Sequence, residues 1–137
     1  MGDFMEAKYH LAVAERMLDG YKGYPEKRFV VGVINEGAKA ASRLVRAFLI
    51  YDETHGGIEK FLGKVAPKYL DAVSVENLMK MLEVERAQKV SRIEFARGEK
   101  IIFLIKGEYK VVTVPRLAEF VKSIGDVAAI FATTIKR

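Results

Sequence analysis

Between Asp3 and Asp19 the apolar positions Phe4, Ala7, Leu11, Ala14 and Leu18 recur at steps of three and four, which gathers them on one face of a helix. Gly20 and Gly23 are expected to stop that helix, and Pro25, followed by acidic Glu26, to open the next at its first position. The second helix carries Phe29, Val30, Val33, Ile34, Gly37, Ala41, Leu44, Val45 and Phe48 and is expected to end near Tyr51. Its other face holds Glu36, Lys39, Arg43 and Arg46. The middle of this helix, GAKAAS, is built of small residues, which let a neighbouring helix come close.

DETHGG, from Asp52 to Gly57, is dense in turn formers and reads as a loop. Ile58 to Ala66 suits a short helix that Pro67 interrupts. Ser74 is an apt N-cap for a third major helix bearing Val75, Leu78, Met79, Leu82, Val90 and Ile93. Gly98 offers a stop for it, although Ile93 and Phe95 would let the chain turn extended sooner. KIIFLI and YKVVTV are β-branched and aromatic runs joined by Lys106, Gly107 and Glu108, a hairpin with a three-residue connection. Pro115 then opens a last helix that carries Leu117, Phe120, Val121, Ile124, Ala128, Phe131 and Ile135.

The pattern therefore predicts a mainly α fold, an up-and-down four-helix-type bundle with a β-hairpin inserted before the last helix. With 137 residues and no linker or repeat, one domain over residues 1–137 is the expectation, large enough to bury about two-thirds of its unfolded surface. The second and last helices are expected to supply the core through Phe29, Val33, Leu44, Phe48, Phe120, Ile124 and Phe131. In the hairpin, Ile101 to Ile105 are apolar without a break, so both faces of that strand want cover. A homodimer contact through Ile101, Phe103 and Ile105 follows, made by edge pairing or by laying the Phe103 face on a partner's helices.

Composition narrows the chemistry. No apolar run reaches the roughly 18 residues that a membrane helix needs, and MGDFMEAKYH lacks a signal-peptide pattern, so a cytoplasmic protein without membrane contact is expected. There are no cysteines, hence no disulfides and no thiolate metal site. Two asparagines and one glutamine stand against many Lys, Arg and Glu, a bias that suits a hyperthermophile source. The net charge of +5 is spread among acidic residues instead of being massed in a block, which suits a solvated surface first and an anionic partner second.

The two histidines, His10 and His55, lie on different elements without a second ligand at helical spacing, so no metal and no cofactor is expected. GGIEKFLGK lacks the order of a phosphate-cradling loop. Asp3, Glu6, Glu15, Glu36 and Glu83 read as surface charge, with Asn35 and Glu36 the exceptions: polar groups set in an apolar helix need hydrogen-bond partners. Arg86, Lys89, Arg92, Arg97 and Lys100 form the densest basic run and are candidate phosphate contacts, although Glu83, Glu85, Glu94 and Glu99 are placed to form ion pairs with them.

The order of a first helix, a long second helix through VINEGAKAASRLVRAFLIYDE, a third helix, a hairpin and a final helix resembles that of HEPN domains, small helical bundles common in archaea and bacteria. Archaeal members pass from the third helix through an E-F-x-R-x-x-K-type segment into a short hairpin, matched here by Glu94, Phe95, Arg97 and Lys100. The resemblance covers nearly the whole chain. It implies either a metal-independent ribonuclease with a late Arg-x4-6-His motif, commonly paired across a dimer, or an inactive binding module, in some cases the partner of a small nucleotidyltransferase. No histidine follows Arg86, Arg92 or Arg97 at that distance, and none occurs beyond His55, so the acid/base group of the ribonuclease is missing. The expectation is thus a non-catalytic HEPN-like interaction module, a homodimer. The alternative is an RNA-binding protein or degenerate ribonuclease that uses the run from Arg86 to Lys100, or one half of a toxin-antitoxin-like pair with a nucleotidyltransferase.

Overall fold

A computed structural model describes residues 2–91, 93–96, 99–105 and 107–136. Its elements are α1 (Gly2–Gly23), α2 (Lys27–Tyr51), α3 (Ile58–Lys60), a π-helical turn (Phe61–Val65), α4 (Ala66–Tyr69), α5 (Ala72–Val90), β1 (Ile93–Ala96), β2 (Lys100–Ile105), β3 (Glu108–Thr113) and α6 (Val114–Ile135). The fold is the helical bundle with a hairpin before its last helix that the pattern predicts. None of the described helices is long and apolar enough to cross a membrane.

Helix α2 lies at the centre, packed on α1, α5, α6 and the π turn. Its small middle does what its composition suggests: a Cβ on Gly37 would lie 2.7 Å from Cε of Met81, so the fully buried methionine of α5 sits against bare backbone. At one end of the bundle Phe48 meets Phe131 and Tyr69 at ring separations of 5.0 and 5.5 Å, and Phe4 meets Phe131 at 5.0 Å. Offset and edge-on rings of this kind add to the area they bury. Of the expected core, Val33, Leu44, Phe48, Phe120, Ile124 and Phe131 are buried; Phe29 is only partly covered, one turn from the exposed start of α2.

Several boundaries differ from the sequence reading. Helix α1 runs through Gly20 to Gly23, because buried Tyr21 anchors its last turn and outweighs the roughly 1 kcal/mol that a helical glycine costs. Pro25 lies ahead of α2, in a tight turn closed by the Glu26 N–H donating to the Tyr24 carbonyl at 2.6 Å, and Glu26 becomes the N-cap residue. Pro67 does not break its helix. The preceding π turn widens the coil just where a proline ring would meet the carbonyl four residues back. The N-cap of α5 lies three residues before the expected one: it is Asp71, not Ser74, its carboxylate accepting the Ser74 N–H at 2.7 Å. The same bond holds the Asp71 carboxyl below its ordinary pKa.

Helix α5 takes the earlier of its two stops, at Val90, and Ile93 falls in a strand; Gly98 lies outside the described residues. The expected hairpin gains a third strand. β1 pairs antiparallel with β2, Ile93 facing Phe103 and Phe95 facing Ile101, and β2 pairs with β3 from Lys100–Thr113 to Ile105–Glu108, in the order β1-β2-β3. The register leaves a two-residue connection instead of three, with Gly107 at φ +80, the left-handed geometry that tight hairpins require. Thr113 caps α6 by accepting the Arg116 N–H at 3.2 Å.

Candidate interaction site

Lys80, Glu83, Val84, Ala87 and Val90 recur on α5 at steps of three, one, three and three, and so line one stripe of the helix. This stripe forms one wall of a cleft of about 750 Å³. Lys110 to Thr113 of β3 form the other, and Arg116 with Phe120 of α6 closes one end. The floor is apolar: Val84, Ala87, Phe103 and Phe120 are each at least nine-tenths buried.

The rim is basic. Lys110 stands opposite Phe103 in the register, so its side chain leaves the sheet on the helix-facing side and reaches Glu83 at 3.7 Å. Lys80 shares the same carboxylate at 3.8 Å. Arg116 pairs with Glu119 at 2.5 Å and lies over the Phe120 ring at 4.8 Å. Arg86 has no ion-pair partner among the described residues. The Thr113 hydroxyl is engaged in capping α6. Lysine, arginine and glutamate side chains around an apolar floor suit the binding of an anionic, partly apolar ligand.

The basic run of the sequence divides here. Arg86 lines the cleft, whereas Lys89 is held by Glu85 at 3.5 Å, an i,i+4 pair, and Lys100 is exposed at the start of β2. Arg92 and Arg97 lie outside the described residues. Lys80, Lys110 and Arg116 were not singled out by the sequence, because they come from three elements that only the sheet register and the α5–α6 packing bring together. Ile101 and Phe103, expected at a dimer contact, are 0% and 1% exposed. They are covered within this chain, so their side chains offer no surface to a second copy; Ile105 pairs with Glu108, and its side chain lies outside those described.

Glu36 and Asn35 are half-buried. Glu36 has its partner: its Oε2 lies 2.5 Å from Nδ1 of His10 across the α1–α2 contact, with Lys39 at 3.9 Å from its other oxygen. Further along the same contact Arg43 donates to Asp3 at 3.0 Å and pairs with Glu6 at 3.0 Å, while Arg46 lies 3.8 Å from Asp3. These carboxylates act as inter-helix ion pairs. Among the described residues no group of three metal-ligating side chains converges.

A second polar cluster fixes the loop after α2. Asp52, 7% exposed, accepts hydrogen bonds from the Thr54 hydroxyl at 2.6 Å, the Tyr69 hydroxyl at 2.8 Å and Lys68 at 3.1 Å. The Thr54 bond first, then those from Tyr69 and Lys68, lower the Asp52 pKa to about 2; the bond to Asp52 in turn raises that of Tyr69. The chain matches no protein-family model, no curated protein and no solved structure.

Proposed function

We propose that the chain is a non-catalytic interaction module of HEPN type that works as a homodimer, with the second copy seated on the outer face of the sheet. Helix order and the hairpin before the last helix support the type; the outer sheet face carries the dimer. Where one face of an antiparallel sheet is solvated, its outward positions are normally polar. Here Tyr109 is 66% and Val111 54% exposed, and Ile102, directly opposite Val111, is half-buried.

A second copy suits this patch because Ile102, Tyr109 and Val111 stand together on it without a charge on β3 between them. Packing this face on its own copy about a two-fold axis would take Ile102, Tyr109 and Val111 of both chains out of water at once. Sedimentation equilibrium tests this reading. The wild type is expected to be a dimer at high micromolar concentration, and Tyr109→Asp with Val111→Asp a monomer with unchanged circular dichroism. A wild type that sediments as a monomer there overturns the assignment.

A further inference from the structure

β3 is the last strand in the sheet order, and its outer edge is unpaired by any described strand. Successive residues of a strand send their side chains to opposite faces, so a cleft touched by four in a row, Lys110 to Thr113, runs along the strand's edge and not over one face. Across it stands α5. An open strand edge facing a helix over an apolar floor is the geometry in which an extended peptide adds as a further strand.

We propose that this cleft takes an extended acidic segment of another protein, added as a strand to β3 opposite α5. The proposal rests on reading the chain as an interaction module but not on the second copy. The edge of β3 would supply main-chain hydrogen bonds, and alternate apolar side chains of the guest would pack between Val90 and Val112, above the buried floor. Charge selects the guest. Lys80, Arg86, Lys110 and Arg116 face two carboxylates, Glu83 and Glu119, a surplus of two positive charges, and Arg86 has no acidic partner among the described residues. That surplus disfavours a second copy in the cleft, because pairing β3 with itself would set the same cations against one another. The open edge of β3 favours a peptide over RNA, since it pairs with another main chain, while the lining rings, Phe103 at 1% and Phe120 at 3% exposure, offer no free face on which a base could stack.

The test uses the full chain and three fluorescein-labelled probes: a peptide of about eight residues alternating valine and aspartate, its counterpart with lysine for aspartate, and an oligouridylate of about twelve nucleotides. The acidic peptide is expected to raise anisotropy, to bind at least about tenfold more tightly than the lysine peptide, and to lose affinity with added salt. Arg86→Glu, at an exposed position, should weaken it by about fivefold or more without changing the circular dichroism. Hydrogen exchange in fragments covering residues 109–113 should slow when it binds. No binding of the acidic peptide, equal binding of the lysine peptide, unchanged exchange along β3, or tighter binding of the oligouridylate each overturns the proposal. Sedimentation reads the dimer and anisotropy reads the cleft, so failure of one is distinguishable from failure of the other.

Discussion

At the scale of single residues, burial decides what a side chain is for. Phe103 sits in the most apolar run of the sequence and reads there as a surface seeking a partner; folded, it is 1% exposed and floors the cleft from inside. Phe103→Asp is therefore expected to unfold the chain and not to yield a folded monomer. Losing a buried ring costs about 3 to 5 kcal/mol, and the buried carboxylate adds to that. A folded Phe103→Asp protein with wild-type urea midpoint would show the ring to be dispensable. Asp52 makes the second case. Its pKa is lowered to about 2 in the folded chain from an ordinary 3.8, so its ionised form is preferred when folded. The stability this brings is complete above pH 4 or so and is lost as pH falls toward about 2. Urea midpoints measured across that window should fall for the wild type, and less steeply for Asp52→Asn.

At the scale of elements, the apolar periodicity found every major helix, while their ends were settled by neighbours. α5 shows why. Ser74 is a good capping residue by type, but Asp71 is another, three residues earlier, and the choice goes to the residue whose side chain meets a free N–H. Asp71→Ala should cost about 1 kcal/mol, within a range of about 0.5 to 2, by denaturant titration, and Ser74→Ala less. The opposite end of α5 was written ambiguously, with Ile93 at helical spacing from Val90 but β-branched, and pairing with Phe103 across the sheet resolves it as strand. Pro67 erred the other way, since a π turn absorbs the steric conflict that a regular helix would not.

At the scale of the whole molecule, the bundle and the sheet share their work. α1, α2, α5 and α6 enclose the aromatic core, and the sheet lies against α5 and α6, leaving two surfaces of different character. The outer face of β2–β3 is apolar and nearly uncharged. The edge facing α5 is apolar below and basic above. With two such surfaces on one small sheet, the proposed dimer contact and the proposed peptide site would lie on different sides of β3.

By itself the sequence determined the class of the fold, the four long helices, the hairpin and most of the core, because apolar spacing at 3.6 or 2 residues is a local property written in order along the chain. It also marked Glu36 as a polar group in need of a partner and Arg86 as a cation of interest. Which partner Glu36 takes, and that Arg86 shares a cleft with Lys80, Lys110 and Arg116 while Lys89 does not, depends on contacts between residues tens of positions apart. Those contacts follow from the α1–α2 packing, from the two-residue turn that fixes the β2–β3 register, and from the seating of the sheet on α5 and α6. Only the tertiary structure decides such things, since a shift of one residue in register would turn Lys110 away from the cleft and leave every local pattern unchanged.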